Sequence, residues 1–347
     1  MKPELRIKNR TCNFRKAIST PNFESERVLA RDAFEFGQLW LRRQCPNALA
    51  YWNQAKSFAD ASRTLPAQSS PLTTYYCFLN ATKALLTVKE KTFSERHGVG
   101  GGFESSKRAL SNEDIHFSSS GILGALSTLL NESDPESDYS LKDILSNLPF
   151  IHRAFRLTYS SHPELFIPIR NLIYRHDQKT KRVWVTAEVV GRMGTGNLVQ
   201  TLPDKFEKDE SEDSKFIIRR KKKVIWHPFG ADPNEKEKVK KRLHKYHQEN
   251  RMSFVYISAS PDLWYLKRSH SQATSIPRYS LTLMLAAMHR LSELSRYDPD
   301  GLNRYLDGKE NWLLTEFIET SPIQFLNEIV CEMTNFEIST PRIRPYS

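Results

Sequence analysis

Two stretches of this chain hold residue types that chemistry uses. Residues 75–103 read YYCFLNATKALLTVKEKTFSERHGVGGGF. Arg96 and His97 stand past a helical run and before a glycine run. An imidazole with a pKa of about 6.5 shuttles protons, and a guanidinium holds a phosphate or a carboxylate. Cleavage of RNA at the 2′-hydroxyl asks for those two services, which makes Arg96 and His97 catalytic candidates. The competing reading is a helix end, where cations meet the carbonyl pole and glycine takes the left-handed cap. Upstream, Asn80 and Lys83 follow Tyr76 by four and seven residues, so the three share a helical face. That face is either a polar cleft that includes His97 or a hydrogen-bond network between helices. The second stretch is RNLIYRH, Arg170 to His176. Its alternating pattern reads as a strand, on which residues six apart sit about 20 Å from each other. An exposed basic hairpin is therefore preferred to a catalytic pair.

Other constellations are weaker. His244 and His247 in HKYH are three apart on a charged helix without a carboxylate or thiol partner, so a solvated face is preferred to a metal pair. GRMGTGN (191–197) lacks the GK[ST] of a phosphate loop and reads as a hairpin loop. No metal and no cofactor is expected. The net charge is +11, and residues 214–251 hold thirteen Lys/Arg against four Asp/Glu. Arg219, Arg220, Lys221, Lys222, Lys223, Lys240, Lys241, Arg242 and Lys245 thus form a candidate nucleic-acid surface, or else a solvated insertion. Trp226, His227, Tyr246, Phe254, Tyr256, Trp264 and Tyr265 lie among these lysines, as stacking platforms for single strands would.

The elements that must position these residues follow from pattern. With 347 residues and 39% hydrophobic content the chain is globular, and no run approaches a membrane span. Four scattered cysteines without a CxxC fit a reducing cytoplasm. Residues 1–22 read as an irregular arm. Helical periodicity marks 22–45, 48–65 and a run to about Val88 that starts at Ser70-Pro71. GGGF and SSKRALSNED read as a linker. Residues 118–132 form a short helix or apolar turn pair. Ser140 with Asp143 makes a capping box. After residue 163 the pattern turns to strands, with a hairpin around DQKTK and further strands in KFIIRR, KKKVIWH and FVYISAS. Residues 234–250 form a charged helix whose seam is Val239, Leu243 and Tyr246. A long helix closes at Asp298-Pro299, and two more follow, split at Pro322.

AFEFGQLWLRR, YYCFLNATKALL and RHGVGGGF resemble the N-terminal part of YaaC-like proteins. SLTLMLAAMHRLSELSRYDP and ENWLLTEFIETSPIQFLNEIV are similar to their C-terminal part. The Tyr-Tyr, Lys-Ala helix followed by His97-Gly98 also resembles the HEPN-like helical proteins. That resemblance implies an α+β, mainly helical protein: a HEPN-like bundle built from the N- and C-terminal parts, around a central mixed β-containing subdomain. The divisions expected are 1–22, 23–162, 163–272 and 273–347. It also implies a bacterial protein that binds nucleic acid (RNA or single-stranded DNA), a role in antiviral defence or stress, and a homodimer. The alternatives are a metal-independent ribonuclease and a regulatory subunit that docks a protein partner.

Overall fold

The apolar runs form two packed bodies in the computed structural model, which describes residues 2–103, 108–133, 136–190, 202–210, 215–226, 233–259, 261–268 and 273–339. The glycine-rich stretch 191–197 lies outside the described residues. The chain opens with a tight hairpin of β1 (Arg6–Ile7) and β2 (Arg10–Thr11). Its two turn residues, Lys8 and Asn9, both have positive φ, as such a two-residue turn demands. Next come β3 (Arg27–Leu29), α1 (Ala33–Gln44), α2 (Leu49–Ser62) and α3 (Ser70–Val88). Asp32 caps α1 by accepting the Phe34 N–H at 2.6 Å. β4 (Val99–Phe103), β5 (Glu113–Phe117), α4 (Gly121–Leu130) and β6 (Ser137–Ser140) follow, and the three strands form one sheet in the order β4-β5-β6. α5 (Leu141–Ser146) and α6 (His152–Thr158) lead to the larger sheet.

That sheet holds β7 (Phe166–Asp177), β8 (Arg182–Val189), β9 (Phe206–Lys208), β10 (Ile217–Arg220) and β11 (Val224–Ile225). After α7 (Pro233–Arg251) come its last strands, β12 (Phe254–Ile257) and β13 (Leu263–Lys267). The order is β12-β13-β7-β8-β10-β9, with β11 also on β8, and every pairing is antiparallel. Leu172, Tyr174, Val183, Val185 and Ile218 face inward, where the seam of α7 (Val239, Leu243 and Tyr246) covers them. β13 pairs only with the first part of β7. Beyond it the N-terminal arm takes the free edge: the Leu5 N–H donates to Tyr174 O at 2.8 Å and the His176 N–H to Pro3 O at 2.9 Å. Leu5, Ile7, Cys12, Phe14 and Phe23 of the arm are buried in the core of this sheet.

α8 (Ser280–Tyr297), α9 (Pro299–Leu306), α10 (Asn311–Thr334) and β14 (Glu337–Ser339) complete the chain. α3, α8 and α10 pack together; Phe78 stacks on Phe325 with ring centroids 3.9 Å apart. β14 returns to pair in parallel with β3. Lys16 joins the two bodies. Its ammonium is buried, 2.8 Å from Asp262 in the β12–β13 turn, and it donates to Ile338 O at 2.7 Å and Asn327 of α10 at 3.3 Å.

The expectation of a mainly helical, HEPN-like bundle is overturned. The protein is an α+β fold with a large, curled antiparallel sheet. Glycines misled the reading. The stretch that reads as a linker holds β4 and the start of β5, and a Cβ at Gly101 would lie 2.6 Å from Arg290 Cδ, so a larger residue there displaces the Arg290 side chain. The arm taken as irregular is strand-paired and apolar on alternate residues. Pro322 does not divide α10. Phe317 and Ile318 before it and Phe325 and Ile329 after it are all buried, and that burial outweighs the roughly 3 kcal/mol cost of an internal proline. Ser70 begins α3 rather than capping it. The Ser140 box is present: its hydroxyl accepts the Asp143 N–H at 3.1 Å and donates to the Asp143 carboxylate at 2.7 Å.

Lys16→Met leaves Asp262 buried without its cation, so unfolding in urea should show a loss of about 3–5 kcal/mol; a loss under 1 kcal/mol contradicts this role. Glu328 on α10 is fully buried, and burial pushes its carboxyl up from 4.5 to about 7. A raised carboxyl contributes stability below about 4.5, and that contribution is lost as pH rises through about 7. Glu328→Gln should therefore be more stable than the native chain by about 2–3 kcal/mol at pH 8 and equal to it near pH 4.5. Equal offsets at both pH values would sink that assignment.

Candidate functional site

The arm and the β7–β8 hairpin enclose a cleft of about 880 Å³. Lys2, Arg6, Lys8, Arg175 and Lys181 line it with His176 and Trp226, and Glu4 is its one lining carboxylate. The left-handed turn at Lys181, φ +52°, places that lysine at the mouth of the hairpin. Lys2 pairs with Asp177 at 3.2 Å and Lys8 with Glu24 at 2.5 Å. Arg6 and Lys181 have no ion-pair partner among the described residues. Glu24 also reaches Lys240 of α7 at 3.7 Å. A second cleft of about 550 Å³ lies beside the first and shares Glu4 and Arg175 with it. Thr11, Asn13, Asn171, Thr186, Glu188 and Lys215 line this one.

The basic block is only partly available. Arg219 pairs with Glu207 at 2.8 Å, Lys222 with Glu249 at 2.7 Å and Lys241 with Glu237 at 2.7 Å. Arg220 is buried, donating to Lys205 O, and Lys223 lies 4.5 Å over the Trp184 ring. Lys221, Arg242 and Lys245 are exposed with no ion-pair partner among the described residues. Four of the expected stacking platforms, Trp226, Tyr246, Phe254 and Tyr256, are core residues, whereas Trp264 and Tyr265 are half-buried against the sheet. His227 lies outside the described residues. His247 is not on a solvated face. It is fully buried, with Nδ1 on the Tyr174 hydroxyl at 2.7 Å and Nε2 on Ala17 O at 2.9 Å.

Arg170 and His176 both sit on β7 and are not brought into one site. Arg170 pairs with Glu188, whereas His176 lines the basic cleft. A bulge between Arg170 and Ile173, with Asn171 at φ +51°, shifts the alternation by one residue: the six steps from Arg170 to His176 oppose only the five from Glu188 to Val183, so the two side chains no longer share a face.

Arg96 and His97 do not cap α3, which ends at Val88 with Lys89 closing it. Their carbonyls instead accept the Ile122 and Leu123 N–H groups at the start of α4. Gly98 and Gly121, both at positive φ, make that close approach. Of the predicted cleft residues, Asn80 turns back to donate to Tyr76 O at 2.8 Å, and Tyr76 stacks on Phe58. Lys83 pairs with Glu95. The residues that do meet His97 are two that stand outside the candidate site set, Tyr75 of the Tyr-Tyr pair and His289. Tyr75 is hydrogen-bonded through its hydroxyl to His97 Nδ1, and His289 of α8 lies 5.5 Å from the His97 ring and 4.9 Å from that of Tyr75. His289 Nδ1 is buried without a hydrogen-bond partner, 3.8 Å from Glu293. Burial, then the Arg296 and Lys83 charges, lower His97 below 6.5. Burial and the neighbouring His97 push His289 down to about 3. Burial also raises the Tyr75 hydroxyl well above its ordinary value. The cluster is therefore uncharged at neutral pH. Only a lone histidine in the apolar run LTLMLAAMHRL pointed to His289.

Fold and site together define an α+β protein with a cation-lined trough between an arm and an antiparallel sheet, and a separate Tyr–His–His cluster in its helical body. The chain belongs to the YaaC-like protein family, whose model matches residues 14–333. No match was found among curated proteins or among solved structures. Among the described residues no helix is long and apolar enough to cross a membrane.

Ring-proton titration checks the cluster. His97 should show a midpoint below 6.5 and His289 no midpoint above about 4, and Tyr75→Phe should alter the His97 tautomer balance. A His97 midpoint at or above 6.5 contradicts this geometry.

Proposed function

We propose that this protein binds single-stranded nucleic acid, RNA or DNA, through the basic cleft between the arm and the β7–β8 hairpin. The observation that carries the reading is the lining: Lys2, Arg6, Lys8, Arg175 and Lys181 share the cleft with Glu4, and although Asp177, Glu24 and Glu4 neutralise Lys2, Lys8 and Arg175 in part, Arg6 and Lys181 have no ion-pair partner among the described residues. A groove of that size and sign concentrates a polyanion and positions its phosphates. The exposed cations Lys221, Arg242 and Lys245 extend the field beyond it. No residue described here speaks for a defence or stress role, or for a dimer.

A second reading, a ribonuclease without a metal, is favoured by the contact of His97 with Tyr75 beside His289. RNA cleaved without added metal, and left intact by His97→Ala, would support it.

Phosphate contacts make binding salt-dependent, with about 0.7 per contact in the slope of log K against log salt for single strands. Arg6→Ala with Lys181→Asn should weaken binding of an end-labelled single strand and reduce that slope by about 1.4. Asn suits the left-handed backbone at position 181. Binding that is flat with salt, or unchanged in the double variant, contradicts the proposal.

A further inference from the structure

The second cleft differs in chemistry from the basic one. Its walls are side-chain amides and hydroxyls (Asn13, Asn171, Thr11 and Thr186) together with Glu4, Glu188, Arg175 and Lys215. It lies on the face of the sheet opposite the core, since Ile173, Arg175 and Thr186 alternate with the inward Leu172, Tyr174 and Val185. Two features fix what it suits. Its size, about 550 Å³, falls in the range of small-molecule pockets rather than of a flat surface. Its carboxylates are held in place. Glu188 accepts from Arg170 and from Asn171 Nδ2 at 2.9 Å, and Glu4 accepts from the Thr11 hydroxyl at 2.8 Å. A carboxylate has about four lone-pair sites, so both retain acceptor capacity towards the cleft.

We propose that this cleft receives a nucleobase bearing an exocyclic amino group, next to a phosphate held in the basic cleft. The inference rests on the binding function proposed above and deepens it. Arg175 and Glu4 border both clefts, so the phosphate and the base of one nucleotide unit fall on either side of them. Glu4 and Glu188 offset the Arg175 and Lys215 cations there, so the second cleft favours a phosphate less than the basic cleft does, and its fixed carboxylates accept hydrogen bonds from amino groups. Glutamate accepting from the cytosine amino group is a general pairing of this kind. Uracil presents carbonyl oxygens where cytosine presents that amino group, and a carboxylate repels them. Asn13 is exposed, and its amide has no side-chain partner among the described residues, so it is free to meet the remaining base edge.

Cytidine and uridine oligonucleotides test this directly, because they carry equal charge. The native chain should bind a five-residue oligo(C) about tenfold more tightly than oligo(U) at one fixed salt concentration. Glu4→Gln should shrink that ratio toward one. Arg6→Ala should weaken both oligonucleotides alike and leave the ratio unchanged. Glu4 is exposed, so its variant should fold; because Glu4 also borders the basic cleft, its variant should bind oligo(U) more tightly, and the oligo(C) to oligo(U) ratio is the reading that reports the base. Should the basic cleft bind phosphates without reading bases, oligo(C) and oligo(U) would bind equally and with the same salt slope, which overturns the inference and leaves the binding function standing. If neither oligonucleotide binds, the binding function fails and the inference with it. A ratio that survives both Glu4→Gln and Thr186→Val places base reading elsewhere and overturns the inference as well.

Discussion

A single buried ammonium ties the fold together. Lys16 sits out of water between Asp262, Asn327 and the Ile338 carbonyl, and 4.9 Å over the Tyr256 ring, while its own N–H donates to Glu337 at 3.0 Å. Desolvating a lysine is costly unless the geometry around it is complete. Here completeness needs the β12–β13 turn, α10 and β14 at the same time, so the charge is satisfied only when both bodies are docked. Nearby contacts follow the same logic: the Ile18 N–H donates to Glu332 at 2.5 Å, and Arg251 Nε donates to Lys16 O at 3.0 Å. The arm is therefore pinned at residues 16–18. The preceding residues are delivered along the edge of β7, where they form one wall of both clefts.

This dependence explains why charge counting points to 214–251 while the cations that line a cleft lie elsewhere in the chain. The densest basic run, 214–251, spends Arg219, Lys222 and Lys241 on neighbouring carboxylates and buries Arg220. The cations that share a cleft come from the first eight residues and from the hairpin around Lys181, which are far apart in sequence. Nothing in local composition brings them together; strand pairing between the arm and β7 does. The aromatics among the lysines were core for an ordinary reason. A sheet covered by a charged helix with a thin apolar seam has to fill its interior with large side chains, and Tyr246, Phe254 and Tyr256 do so.

Most helices were legible because their apolar spacing is strong, although α9 went unread behind Asp298-Pro299 and α10 reads as two; the β7–β8 hairpin and the Ser140 box were legible because they rest on local rules. The smaller sheet was not. Glycine at 100–102 reads as a break, yet at Gly101 the reason is the close approach of Arg290, whose guanidinium is held by Glu113 at 2.8 Å. His97 was legible as a candidate from its type and neighbours. Its true companions, Tyr75 and His289, were hidden inside apolar helical runs, where a polar residue most often serves packing.

The most direct test of the account is amide hydrogen exchange with and without a short single-stranded oligonucleotide. Slower exchange confined to residues 2–14, 171–189 and 215–226 is the predicted result, because those segments wall the two clefts. Protection centred on residues 75–97 and 285–297, or none at oligonucleotide concentrations that saturate binding, would contradict it.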